Sequence, residues 1–343
     1  MSSTPAALTA FTTEVFTTLG LPDEDAAVSA RALVHADTRG IASHGVANLS
    51  RVYLPLLRSG RARPEAKPER LVDRGPALLV DGDRALGLWL AAAAVDLAAL
   101  RAADYGVGVV SVRNGTHFGA AGFHALRAAE QGMVGVVLAN CGHQALAPGP
   151  SGGRKLLGTN PIGIACPAGG HPPFLLDMST TTAPTGKVRQ AARAGVAAPT
   201  GWLTDGAGPV HDPAALDSGA GWLTWLGAPG PAEYKGFGLG LAVEVLAALV
   251  PGAGLGPTAD AAADDDIGFL ALALAPETLR PGFAADADRL FGAVLDAGET
   301  YPGVPESRLH ADAHAHGVPL ADDIRAELDA IAEDLGITPL DRR

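Results

Sequence analysis

Three short runs limit the fold of this 343-residue chain more than anything else in it: "GVGVVSVRN" (106–114), "MVGVVLAN" (133–140) and "IGFLALAL" (267–274). Each is almost wholly apolar and too short for a buried helix, so each reads as a strand covered on both faces. Ala-rich stretches with helical spacing of their apolar positions surround them and predict helices over 5–19, 23–38, 86–104, 119–131, 183–193, 234–249, 282–297 and 320–335. A further helix is expected over 47–59, closed by Gly60 and a linker through Pro64 and Pro68. "ALLVDGDRALG" (77–87) reads as a strand and turn, and strands are also expected at 162–166 and 173–177. The fold class is therefore α/β, with helices collected at both termini.

Composition narrows the function. Apolar residues make up 48% of the chain but aromatics only 5%, so the core must be built from Ala, Val and Leu. A formal net charge of −12 argues against a general nucleic-acid or anionic-membrane surface. Two cysteines, Cys141 and Cys166, are too few for a disulfide framework. The start, "MSSTPAALTAFTTEVF", lacks the features of a signal peptide, and no stretch reaches eighteen apolar residues without a charge. The expectation is a soluble, cytoplasmic protein.

Chemistry concentrates in a few stretches. "DTRGIASHGVANLSR" (37–51) ends a helix in a Ser43-His44-Gly45 turn, where a histidine is flanked by a hydroxyl and a glycine. The 140–160 segment is Gly/Pro-rich, polar and too long for an idle turn, which marks it as functional. By contrast "GAGLGPTADAAADD" (252–265) is low in complexity and reads as a mobile surface loop. A Rossmann unit needs G-x-G-x-x-G between a strand and a helix. Gly106 and Gly108 lie before or inside a strand, and "GFGLGL" (236–241) lies within a helix, so no ordinary Rossmann site is present.

"NGTHFGAAGFH" (114–124) follows a strand and opens a helix, the context of an anion cradle. Gly119 and Gly122 would let a ligand approach the backbone there, with His117 at the mouth; the plainer reading is a capped strand-to-helix turn. "LLDMSTTTAPTGK" (175–187) places Asp177 at the end of an apolar strand, followed by the hydroxyls of Ser179, Thr180, Thr181 and Thr182. That rim suits phosphate, ribose or carboxylate oxygens, or serves simply as an Asx-turn and cap run. The chain has four lysines, Lys67, Lys155, Lys187 and Lys235. Lys235 falls in a first helical turn, where the dipole disfavours a cation unless an anion shares the site. "HADAHAH" puts His310 and His314 on one helical face, but with no general base beside them the expectation is no native metal site. A triad of Cys141, His143 and Asp177 is set aside because no nucleophile turn surrounds the cysteine.

Taken in order, "DTRGIASHGV", "HFGAAGFHA", "LGTNPIG", "LDMSTT", "GW…DGAG", "YKGFGLGL" and "YPG" resemble the malate/L-lactate dehydrogenase family unrelated to the Rossmann lactate dehydrogenases. That family also includes ureidoglycolate, sulfolactate and diketogulonate dehydrogenases and cyclic imino-acid reductases. The resemblance implies an enzyme with NAD or NADP as cofactor and a non-Rossmann, mixed-sheet α/β domain over 71–301. It also implies a helical domain from 1–70 together with 302–343, and a homodimer with small-molecule clefts between cofactor and helical domains. By motif position Ser43 and His44 are the catalytic pair and His117 the second histidine near the nicotinamide. Asp177, Met178, Ser179, Lys235 and the Gly303 of "YPG" fall on cofactor positions, with His117, Gly119, Gly122 and Cys141 beside them. Thr159 falls where the substrate is held.

The residue types suit the chemistry on their own terms. Reducing C=O or C=N needs hydride from one face and a proton from a nearby acid, and imidazole can give and regain that proton near neutral pH. One departure stands out: after Ser-His-Gly the family runs Val-x-Arg, whereas this chain has Asn48. Losing a guanidinium that clamps a carboxylate removes about 1.5–3 kcal/mol of binding. Arg51, one turn on, would compensate if it faces the cleft. The expected substrate is therefore a 2-oxo/2-hydroxy acid or related carbonyl other than plain malate or lactate. The alternatives are a cyclic or N-alkyl imine reductase and a nucleotide-binding homologue without turnover. Trp222 and Trp225 are expected to pack rather than to shape the pocket.

Overall fold

The computed structural model describes residues 2–258 and 265–343, and in it the three apolar runs are strands of one seven-stranded sheet. In chain order the strands are β1 (Glu69–Arg74), β2 (Ala77–Asp81), β3 (Val107–Gly115), β4 (Val134–Ala139), β5 (Ile162–Ala168), β6 (His171–Met178) and β7 (Ile267–Leu274). They lie side by side as β1-β2-β3-β7-β4-β5-β6, with only β2 and β3 parallel. This is a mixed sheet, not the parallel doubly wound sheet of a Rossmann domain. The last strand in sequence, β7, sits between β3 and β4, which explains its uninterrupted apolar run: it is flanked on both edges and mostly buried. At the rim, β1 is exposed at every residue and reads "ERLVDR", a charged edge strand that apolar patterning alone misses.

The helices are α1 (Pro5–Thr18), α2 (Asp23–Thr38), α3 (Gly87–Tyr105), α4 (Ala121–Ala129), α5 (Thr185–Ala194), α6 (Glu233–Glu244), α7 (Phe283–Asp296), α8 (Val304–His316) and α9 (Asp322–Leu335). One buried apolar cluster joins Leu8 and Phe11 of α1 and Leu328 of α9 to Val110 and Phe269 of the sheet. Small residues let these layers approach closely. A Cβ at Gly108 would sit 1.9 Å from the Ala98 carbonyl oxygen, so α3 lies directly on β3.

Three local readings need correction. The expected helix over 47–59 is a wider π turn at Leu49–Tyr53 followed by Leu54–Arg58. Pro55 lacks the N–H that would continue the regular ladder. The 234–249 helix likewise ends in a π turn, Val245–Leu249. The part of 252–265 that is described is packed: Ala253 and Asp265 are each 8% exposed, and Gly256 donates to Glu244, while 259–264 lie outside the described residues. Between 200 and 225 a small sheet of Leu203–Thr204, Pro209–Val210 and Trp222–Leu223 covers a second cluster containing the fully buried Trp225. Among the described residues no helix is long and apolar enough to cross a membrane.

A carboxylate holds the glycine-rich 140–160 segment against the sheet. Glu244, 4% exposed, accepts from Asn140 Nδ2 (3.3 Å), Asn160 Nδ2 (2.8 Å) and the Gly256 amide (2.9 Å). Asn140 in turn accepts through Oδ1 from the Gly142 and Gly268 amides and donates to the Gly254 carbonyl. Removing the carboxylate leaves several buried donors without a partner, at about 1–3 kcal/mol each. Glu244→Ala is therefore expected to lower unfolding free energy by about 3 kcal/mol or more in a denaturant titration. A loss under about 1 kcal/mol would show that the network does not hold the segment.

Candidate active site

The loop carrying Ser43 and His44 leaves the end of α2 and is held from three sides. Asp37 Oδ2 accepts from the Val46 amide at 2.8 Å, and its carboxyl fills the space beneath Gly45, where a Cβ would fall 1.8 Å from Oδ1. Asn48 Nδ2 donates to the Ser43 carbonyl at 2.9 Å. From outside, α5 presents Gly186, whose Cβ would lie 2.8 Å from that of Ser43, so only a glycine allows this approach. Ser43 Oγ lies 2.9 Å from His44 Nδ1 and sets the direction of the ring.

Opposite stands His117, at the exit of β3. The two imidazoles are nearly parallel, 11° between planes and 5.9 Å between centroids. His117 Nδ1 meets the Tyr53 hydroxyl at 2.9 Å and the Gly119 amide at 3.4 Å. The Gly119 amide can only donate, so Nδ1 accepts and the proton of the neutral ring sits on Nε2. Sequence reasoning missed Tyr53; its signal was a tyrosine on an apolar helical face, whose hydroxyl needs a partner once buried. Both rings line a cavity of about 770 Å3, within the range of small-molecule and cofactor sites.

The cavity gathers most of the residues singled out from sequence. Ser43, His44, Asn48, Arg51, His117 and Gly119 line it, as do Cys141, Thr159, Asp177, Met178 and Ser179. Gly122, Lys235 and Gly303 are not among the lining residues. The anion cradle expected at the start of α4 already holds an anion from the chain itself: Asp177 accepts from the Gly122 amide at 2.8 Å. Gly163, facing Asp177 across the β5–β6 ladder, gives α4 the room for this. The hydroxyl rim is also internally committed. Ser179, Thr180, Thr181 and Thr182 each donate to a backbone carbonyl, Thr182 also accepts from Thr224, and Thr180 is buried away from the cavity. This leaves the Ser179 and Thr181 oxygens as acceptors suited to ribose hydroxyls rather than to phosphate.

Arg51 reaches the cavity but pairs with Glu327 of α9 at 2.6 Å, and Ser50 donates to the same carboxylate at 2.5 Å. Cys141 Sγ lies 3.5 Å from Thr159 Oγ1, while His143 lines a separate cavity with Asp81, Arg113 and Asp266. The three members of a cysteine triad are therefore not brought together. His310 bonds Thr38 and lies beside His314, ring centroids 4.5 Å apart. Lys235 is exposed on α6. Trp222 packs over Gly206, and the Trp225 indole donates to the Pro148 carbonyl.

Electrostatics in the cavity favour neutral groups. Loss of solvent, reinforced by His117, pushes His44 down to about 3, and loss of solvent pushes His117 down to about 4. The same effect raises Asp177 to about 6 against the pull of the Gly122 amide, with Glu306 adding to the rise. It raises Asp37 to about 7, only partly offset by the Val46 bond. An acid whose folded pKa lies above its unfolded value stabilises most below the unfolded pKa and loses that contribution as pH rises through the folded one. For Asp37 that window runs from about 4 to about 7. Asp37→Asn keeps a neutral, hydrogen-bonding group, so its stability relative to wild type should increase by about 2 kcal/mol between pH 5 and pH 8. A difference constant with pH in paired denaturation curves would contradict the assignment.

The comparisons with known proteins agree with this architecture. The malate/L-lactate dehydrogenase family model matches residues 4–329. The malate dehydrogenase of Pyrococcus abyssi is 39% identical over 249 residues, 71% of this chain and 67% of that protein. The sulfolactate dehydrogenase structure from Methanocaldococcus jannaschii superposes with a TM-score of 0.86 at 32% identity, covering 99% of both chains. The Δ1-piperideine-2-carboxylate reductase of Pseudomonas syringae pvar. tomato gives 0.85 at 28% identity, over 97% of this chain and 100% of that one. The chain thus belongs to the malate/L-lactate dehydrogenase family of oxidoreductases.

Proposed function

We propose that this protein moves a hydride between a nicotinamide dinucleotide, NAD or NADP, and C2 of a 2-oxo/2-hydroxy acid or a related carbonyl substrate. The observation that carries the reading is the pair of facing imidazoles, His44 and His117, on the wall of one ligand-sized cavity. The acceptor oxygens of Ser179 and Thr181 suit a ribose, and the cavity has room for a dinucleotide along Asp177 and Met178. When bound, the nicotinamide gives or takes the hydride at the substrate carbon.

The residues divide the remaining work. A ring with its pKa near 3 is a free base at neutral pH, so His44 is ready to accept the hydroxyl proton of a 2-hydroxy acid. Ser43 holds that ring by its Nδ1 and leaves Nε2 to take the proton. His117, with Nε2 protonated by the pattern at its Nδ1, donates a hydrogen bond to the substrate oxygen and steadies charge forming there. In the reducing direction His44 Nε2 must first take a proton from solvent, and the growing alkoxide then draws that proton from it.

Substrate choice rests on the two positions from which the family resemblance implies a carboxylate contact, one neutral here and the other engaged. Asn48 is a neutral amide already tied to Ser43, and Arg51 is paired with Glu327. Plain malate or lactate is therefore a poor substrate compared with less carboxylate-dependent carbonyls. The neutral Asn48 also favours, as a second reading, a cyclic or N-alkyl imine. The exposed stripe Tyr234, Leu241, Val245 and Leu249, on the same helix as Lys235, supports a homodimer closed by this face.

His44→Ala should lower turnover roughly a hundredfold to ten-thousandfold while dinucleotide affinity survives. Near-normal turnover on the true substrate would refute its role. A panel of oxo acids and hydroxy acids, repeated with added amine, separates the readings by NAD(P)H consumption. Brisk malate or lactate oxidation abolished by Asn48→Ala would overturn the substrate assignment, and dinucleotide binding without turnover would mark a non-catalytic homologue. In light scattering the wild type should run as a dimer and Leu241→Asp/Leu249→Asp as a monomer; a monomeric wild type would contradict the interface.

A further inference from the structure

Arg39, the residue that closes α2 two positions after Asp37, lines the same cavity yet is used by nothing described so far. It is 8% exposed, and its Nε and Nη1 have no hydrogen-bond partner. Among the described residues its guanidinium makes neither a hydrogen bond nor an ion pair. Glu130 and Glu306 act on it only through space, and Glu306 is committed to the Gly303 amide at 2.9 Å. The polar groups nearby do not engage it: Nε2 of His35 and Nδ1 of His124 are also buried without partners, and His310 is bonded to Thr38.

A guanidinium cannot neutralise itself by losing a proton in a protein, so a desolvated one needs an anion to offset the cost. The chain supplies none in contact. The cavity end beside Arg39 is walled by Pro302, Glu306 and Leu309 of the segment entering α8. Asp177 senses Glu306, so this end is continuous with the β6 rim on which the dinucleotide is placed. At the start of α4 the Gly122 amide is taken by the carboxylate of Asp177, and the rim hydroxyls are spent on carbonyls. A phosphate entering the cavity therefore meets Arg39 as a buried, unpartnered cation, whereas Lys187 and Arg193, which also line the cavity, are exposed to solvent.

We propose that Arg39 is the receptor for a phosphate oxyanion of the bound dinucleotide. This rests on the reading of the cavity as a dinucleotide site. The phosphate comes either from the pyrophosphate bridge or from the 2′-phosphate of NADP. Arg39 acts through charge and hydrogen bonding, so Arg39→Lys keeps part of the interaction and Arg39→Gln removes it.

Calorimetric titration of the full chain with NADH, NADPH, ADP-ribose and adenosine tests the assignment, with thermal midpoints recorded alongside. Arg39→Gln should weaken NADH, NADPH and ADP-ribose by about tenfold or more and leave adenosine unchanged, if the bridge is the partner. A loss confined to NADPH would identify the 2′-phosphate. In wild type, inorganic pyrophosphate should compete with NADH, and in Arg39→Lys, which keeps the charge and guards against a misfolded Gln variant, it should compete less well. Unchanged NADH and NADPH affinities in both variants overturn the inference, as does a raised KM for the oxo acid alone. Equal loss of adenosine and NADH with a lowered thermal midpoint would show a merely structural role and overturn it too. If wild type itself binds neither NADH nor NADPH, the dinucleotide reading fails instead.

Discussion

The hydrogen bond from the Val46 amide to the carboxyl of Asp37 is the constraint on which the site depends, because it fixes the backbone that aims His44. The carboxyl occupies the volume that any side chain at position 45 would need. Asn48 closes the loop from the other end, and Gly186 lets α5 press on its outer face. A short segment between two helices is thereby held as firmly as a strand. His117 has a different support, a strand end and the buried Tyr53. The two imidazoles are brought face to face by elements that share no local sequence.

The same enclosure that fixes the rings sets their chemistry. Loss of solvent around these groups lowers both histidines and raises Asp177 and Asp37, so at neutral pH the imidazoles are uncharged and Asp37 is close to half protonated, while Asp177 stays mostly ionised. A neutral imidazole is a base at neutral pH and can serve as an acid only after it has taken up a proton. Asp177 illustrates a second economy: placed at the N-terminus of α4, it anchors β6 to α4 and fills the helix end that would otherwise attract a ligand anion. Binding must then use other groups.

How much of this was legible in the sequence depended on whether a feature is local. The apolar strands and Ala-rich helices were, because burial on both faces or on one stripe leaves a pattern within a dozen residues. So were Ser43, His44, His117 and the "LDMS" strand end, which do line one cavity. The charged edge strand β1 was not, since an edge needs no apolar run. The Tyr53–His117 and Asn140–Glu244 bonds join residues 64 and 104 positions apart, and nothing in either stretch announces its partner. The anion cradle at Gly122 misled because its context was right and its occupant, Asp177, comes from 55 positions away.

The central claim is that substrate and nicotinamide meet between His44 and His117. A crystal structure of the enzyme with NADH and an unreactive oxo-acid analogue tests it most directly. The nicotinamide carbon should lie about 3–3.5 Å from the analogue's C2, with His44 Nε2 within hydrogen-bonding reach of its oxygen. A nicotinamide ring seated outside this cavity, or separated from both imidazoles by ordered protein, would contradict it.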